Sequence, residues 1–268
     1  MTTLTRRTVL AFAGASALAG MSLPVRRISA REQDVNVLLQ ESAAAMSALQ
    51  SFRFELSTVN GTSTILDNLE LKKVAGKVLR PDSFSADVTA GLAVVDLTVQ
   101  VVGIGQRLWV TDPLDQEGRF IELALGDDES GAGSLAALIN PDRVFLTAVG
   151  LVENAAIDGT EKLDGVETTV VTGEFDASKL TGLAGTPVAG EDADPEAADV
   201  EGSGFPAELI LERMPVTIWI DDAKRVVRLE IEGQLTSSES TDVIRGIDFY
   251  DFDAPVEIPE PTNVATGA

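Results

Sequence analysis

The chain has 268 residues, 44% of them apolar, a formal net charge of −23, and neither cysteine nor histidine. Disulfides, thiolate nucleophiles, imidazole bases and zinc sites built from the usual nitrogen and sulfur ligands are thereby excluded. The first thirty residues hold four arginines and no acid, so of the −23 the remaining body carries −27, which repels nucleic acid and anionic membrane surfaces.

None of the six lysines (Lys72, Lys73, Lys77, Lys162, Lys179 and Lys224) stands in the S-x-x-K spacing of a serine–lysine hydrolase. Catalysis by a pair of carboxylates stays open on residue count alone. The length suffices for one domain with a sizeable core. The organisation expected is an export segment over 1–30, a single domain over 31–261, and a flexible tail over 262–268.

In the export segment, Arg6 and Arg7 precede a weakly apolar run, AFAGASALAG, with no acid before Glu32. Paired arginines before a mildly apolar, Ala/Gly-rich stretch predict a twin-arginine signal, with cleavage after Ala19 or Ala30. The run Leu18-Ala19-Gly20-Met21 has the frame of a lipobox, but methionine stands where the lipidated cysteine would be. No thioether to a lipid can form there. The expected location is outside the cytoplasmic membrane, without a lipid anchor.

Beyond it, Asp34 can cap a helix over about 35–50, where Val35, Leu38, Leu39, Met46 and Leu49 recur at helical spacing. Alternation then takes over. Phe52, Phe54 and Leu56 interleave with polar residues, as do Phe84, Ala86 and Val88, then Val95, Leu97, Val99 and Val101. Leu108 with Val110, and RFIEL at 119–123, complete a predicted β-meander, its strands separated by Gly, Pro and Asp turn signals. Residues 127–133 form a loop, and 134–153 read as two helices broken at Asn140-Pro141, with Leu135, Leu138, Phe145 and Val149 on an apolar surface.

Strands return over 157–176, with Asp164-Gly165 as the hairpin turn. Residues 186–204 hold six acids and no base, and are predicted to be a disordered loop, since Asp192 and Asp194 lack the spaced ligands of an EF-hand. The final strands are VTIWI, VVRLEIEGQL and TDVIRGIDFYDF; on the middle one, Val227, Leu229, Ile231 and Leu235 share a side. The tail after Pro255 is predicted to be extended or loose.

Four stretches in this order, LLQESAAAMSALQSFRFELS, GTEKLDGVETTVVTGEFDASKL, VTIWIDDAKRVVRLEI and IDFYDFDAPVEIPEP, resemble the LppX/LprAFG family of cell-envelope lipoproteins, related in shape to LolA. The resemblance spans most of 35–261. It implies an α+β fold: a strongly curved antiparallel half-barrel whose concave face is covered by helices over an apolar cavity. It also implies a carrier for acylated lipids or glycolipids, with no catalytic motif and no cofactor. Met21 is a departure from the family, whose anchor is a cysteine.

Alternation assigns the cavity wall to Phe84, Val88, Val95, Leu97, Val99 and Val101 on strands, with Leu135, Leu138, Phe145 and Val149 on helices. The protein is expected to be a monomer. Two other readings stay open: a non-catalytic envelope sensor or interaction module of the same shape, and a carboxylate hydrolase using a pair such as Asp248 with Asp251. Those two acids are expected to be solvated turn and edge residues.

Overall fold

A computed structural model describes residues 30–65, 69–92, 95–113, 115, 117–124, 142, 149–176, 213–234 and 239–265. They contain one helix, α1 (Ala30–Ala48), and twelve strands. The strands are β1 (Ser51–Asn60), β2 (Ser63–Ile65), β3 (Leu69–Leu79), β4 (Ser83–Leu92), β5 (Val95–Ile104), β6 (Arg107–Thr111), β7 (Phe120–Ala124), β8 (Glu153–Leu163), β9 (Val166–Asp176), β10 (Arg213–Asp221), β11 (Val226–Glu232) and β12 (Ile244–Tyr250).

All twelve strands join one sheet in the order β7-β6-β5-β4-β3-β1-β12-β11-β10-β9-β8, with β2 paired to β3. Every neighbouring pair is antiparallel. The first and last strands in sequence, β1 and β12, lie side by side at the centre, so the chain closes on itself there and leaves β7 and β8 as edges. Neighbouring strands rotate by roughly 20–25°, and a sheet this wide curls instead of staying flat.

The register shows how alternation builds the wall. Phe54 on β1 lies between Phe249 on β12 and Gly76 on β3; Gly76 opposes Ala86 on β4, which opposes Val101 on β5 and then Val110 on β6. Directly opposed residues share a face, so one row of apolar side chains crosses six strands. This inner face joins α1 in one core that includes Val35, Leu39, Met46, Phe52, Ile218, Leu229 and Ile247. Of five register shifts among the described residues, two re-aim residues of the predicted pattern. One between Leu71 and Lys73 interrupts the alternation of β3; another opposite Trp219 and Ile220 puts Val226 fully in the core and leaves Val227 half-buried.

The helix begins a turn earlier than the sequence predicts, so Asp34 lies inside it and does not cap it. Its C-terminus is held by Arg80, from the turn between β3 and β4. One Arg80 Nη donates to the carbonyls of Met46, Ser47 and Leu49 at 2.7, 2.7 and 2.8 Å, and the guanidinium also pairs with Asp142. Lys224, in the β10–β11 turn, reaches Glu41 at 4.0 Å, and α1 lies against β8. The helix thus crosses the inner face at the end marked by those two turns. Arg80→Ala is expected to lower stability by about 2 kcal/mol, read as a lower urea midpoint, because the last helical carbonyls lose a charged donor. Arg80→Lys should recover only part of this, since an ammonium cannot fork between helix and carboxylate.

The second predicted helical region corrects at its end: β8 begins at Glu153, and of residues 134–152 only 142 and 149–152 are described, with Val149 helical. Cover of the inner face is therefore α1 alone among described helices. The loop at 186–204 lies outside the described residues, as do Arg6, Arg7 and Met21.

The tail takes the extended form of the two expected for it. Residues 251–265 run as an extended strap over the outer face. Asp253 N–H donates to the Ser51 carbonyl at 2.8 Å, and Lys77 Nζ donates to the Glu257 carbonyl at 2.8 Å. Arg107 forks onto Glu260 at 2.8 and 2.7 Å. Residues 262–265, expected to be flexible, instead bond the edge of β7: Phe120 N–H donates to the Asn263 carbonyl and Ala265 N–H to the Phe120 carbonyl, both at 2.8 Å. Val256 and Ile258 are half-buried while Pro255, Glu257 and Pro259 are exposed, the alternation of a strand laid on a surface.

Candidate functional site: the apolar inner face

Seven of the ten predicted wall residues lie within the described structure. Phe84, Val88, Val101 and Val149 are buried, Leu97 and Val99 are half-buried, and Val95 is exposed. Leu135, Leu138 and Phe145 fall outside the described residues. The six strand residues are brought onto one face by direct pairing: Phe84 with Gly103, Val88 with Val99, Ala90 with Leu97, and Leu92 with Val95. Along β5 the relative exposure rises from 1% at Val101 to 54% at Val95, with Val99 and Leu97 between.

Two aromatic rings lie low on this wall. A Cβ added at Gly103 would stand 2.2 Å from the Phe84 ring, and one at Gly76 would stand 2.6 Å from the Phe54 ring. Each ring therefore rests on the bare backbone of the next strand, where any side chain would push it up toward α1. Gly103→Ala is expected to displace Phe84 and lower stability by about 1–3 kcal/mol, measured as a shift of the thermal midpoint.

Polar groups on the inner side are few. Ser42, on the buried stripe of α1 between Leu38 and Met46, has no partner for its hydroxyl among the described residues. Ser42→Ala should be neutral or stabilising by up to about 1 kcal/mol in urea unfolding, because an unpaired buried hydroxyl is removed.

Arg245 follows the inward register of β12, opposite Ile231, and is held there by one ion pair and two hydrogen bonds. Its Nη2 pairs with Glu239, its Nη1 donates to the Gly233 carbonyl at 2.8 Å, and its Nε donates to Ser63 Oγ at 3.1 Å. The Ser63 hydroxyl donates in turn to Glu239 at 3.1 Å. This cluster is buried and closes the inner face between β12 and β2, at the end away from the C-terminus of α1. Sequence reasoning missed it: alternation sets Arg245 in step with the apolar Val243, Ile247 and Phe249, but a charged side chain by itself reads as outward.

Ionisable groups on the outer face are spent on one another. Asp248 pairs with Arg228 at 2.5 Å and Asp251 with Arg53 at 3.3 Å. Asp248 is not an edge residue as expected; it sits mid-strand between β1 and β11. Burial pushes the Glu230 carboxyl up, aided by the nearby Asp248 and Glu161 carboxylates and opposed by Arg228. By register these groups lie on the face opposite the apolar wall. No group of residues suited to hold a metal ion occurs among the described residues.

One antiparallel sheet with a continuous apolar face, a helix across one end and a strap behind it defines the class: an α+β scaffold with a single wide sheet and an apolar inner wall. Within that class the chain belongs to the LppX_LprAFG lipoprotein family, which matches residues 34–201. Lipoprotein LprA of Mycobacterium tuberculosis (strain ATCC 25618 / H37Rv) is 21% identical over 205 residues, 76% of this chain and 74% of the relative. The crystal structure of LprF from Mycobacterium bovis superposes with a TM-score of 0.54 at 20% identity, covering 85% of this chain and 97% of that one. That of the Mycobacterium tuberculosis lipoprotein LppX gives 0.52 at 19% identity, covering 85% and 100%. At such identities the two structures establish the shared fold.

Proposed function

We propose that this protein is an exported, non-catalytic lipid carrier that shelters acyl chains of a lipid or glycolipid against the inner face and moves them within the cell envelope. The observation that carries the reading is the unbroken apolar strip Phe84, Val88, Val99, Leu97 and Val95, which passes from core to solvent on one face of two paired strands. A filled core would bury the whole strip; a strip that ends in water suits a ligand that comes and goes. Membership of a lipoprotein family supports the envelope location, and Met21 in place of cysteine supports a form without a thioether anchor.

The physics suits carriage. Each buried methylene is worth about 0.8 kcal/mol, so a sixteen-carbon chain gains roughly 12 kcal/mol gross on leaving water. Most of that is also available in a bilayer, so uptake and release are both within reach. Native mass spectrometry of the exported protein, followed by lipid extraction, is expected to show a bound acylated species. A ligand-free protein that also takes up no fluorescent acyl probe overturns the reading and leaves an interaction module of the same shape.

A further inference from the structure

We propose that the acyl chain enters and leaves at the β4–β5 hairpin end, tail first, with its polar head remaining beside Val95; this rests on the carrier reading above. Three observations converge on that corner. The opposite end of the wall is shut: α1 crosses it, Arg80 ties its last turn down and lies 5.8 Å from the Phe52 ring centroid, and Met46, Leu49, Phe52 and Leu108 are all buried. At the same end as Val95, the half of the sheet built from β1, β2, β11 and β12 is closed as well. There the Arg245–Glu239–Ser63 cluster is buried, Asn60 Nδ2 donates to the Asp242 carbonyl at 2.7 Å, and Thr62 N–H donates to Ser240 Oγ at 3.2 Å.

What stays open is the remaining quadrant. Val95 is 54% exposed, apolar, inward by register and wet. Ile121 on β7 shares the face, but through Val110 it stands level with Val101, at the far end of the strip, and is 44% exposed at the sheet edge. From Val95 to Val101 the strand rises about 20 Å, comparable with an extended long-chain acyl group. A tail lying along it would meet steadily drier surroundings toward Val101, which fixes its direction. The head would be left in solvent beside the exposed Lys72–Asp96 ion pair, closed at 2.5 Å. Among the described residues, Ile121 on the edge strand β7 and Ile157 (37%) on the edge strand β8 are the other exposed large apolar residues of this face and offer competing doorways.

The absence of cysteine makes the test direct. V95C, I157C and V166C each introduce a single thiol, the last at the β8–β9 turn near the closed end. Each is alkylated with a bulky maleimide, and the uptake rate of a fluorescent palmitoyl probe is followed by stopped flow. The V95C adduct is expected to slow uptake by about tenfold or more, with the I157C and V166C adducts within about twofold of the unmodified protein. An unchanged rate for the V95C adduct, or slowing confined to I157C, overturns the entrance while the carrier reading survives. No uptake by the unmodified protein overturns both. Direction is read separately: a fluorophore on V95C should be quenched more by a bromine near the probe's carboxyl end than by one near its methyl end. The reverse order overturns the tail-first arrangement.

Discussion

Leu97→Asp is expected to weaken binding of a fluorescent acyl probe by about a hundredfold or more while the protein stays folded. Leu97 faces inward opposite Ala90, yet is only half-buried. In the empty protein a carboxylate there keeps water, so the native state tolerates it. With a hydrocarbon chain laid over it the charge must be desolvated, a penalty on the order of 3 kcal/mol that falls on the bound state alone. The control is Thr98→Asp, one residue along on the other face and exposed. It should leave affinity within about twofold, since a charge in water costs little. Equal weakening by both variants, or none by Leu97→Asp, would detach the inner face from lipid binding. Val99→Asp, deeper on the strip, should lose stability as well as affinity.

Glu239→Ala is expected to lower stability by about 3–5 kcal/mol, the cost of stranding a buried guanidinium. For a domain of this size that is a fall of roughly 10 °C or more in the thermal midpoint. Arg245 and Glu239 are both nearly inaccessible, and Ser63 bridges them, so loss of the carboxylate leaves the guanidinium charge in a site shut off from bulk solvent. The double replacement Glu239→Leu with Arg245→Met removes both charges and should recover most of the loss, because the surrounding wall is apolar: Ile231 and Val216 follow Arg245 across the sheet. If the double variant is no more stable than the single one, the cluster acts through its shape and not its charge.

How far the fold could be read depends on where alternation survives. On β1, β4 and β5 the inward runs Phe52-Phe54-Leu56, Phe84-Ala86-Val88-Ala90 and Val95-Leu97-Val99-Val101 are apolar and the residues between them are polar, so both the strands and their facing were legible, and with them the apolar strip. β3 escaped as a separate strand. Its inward residues are Leu71, Val74, Gly76 and Val78, and the shift after Leu71 breaks the period of two. The same mechanism misplaced Val227: the irregularity beside Trp219 and Ile220 draws Val226 inward, and no local pattern announces it. The proline-rich tail predicts an extended or loose segment, and the extended form is the one the structure takes. It is held by side chains of the strands it crosses, Lys77 and Arg107 among them.

The sequence by itself determined the alternating strands, the acidic and cysteine-free chemistry that excludes most catalytic routes, and the face on which the apolar residues stand. These are local properties, set by the two-residue repeat of a pleated strand and by residue type. Tertiary structure alone decided that β12 returns to lie beside β1, that Arg80 fastens the helix across one end, that Arg245 is buried with Glu239, and that the strip opens at Val95. Most of these join residues far apart in the chain, and the energy that selects them, desolvation and charge pairing across the assembled sheet, exists only once the strands have met.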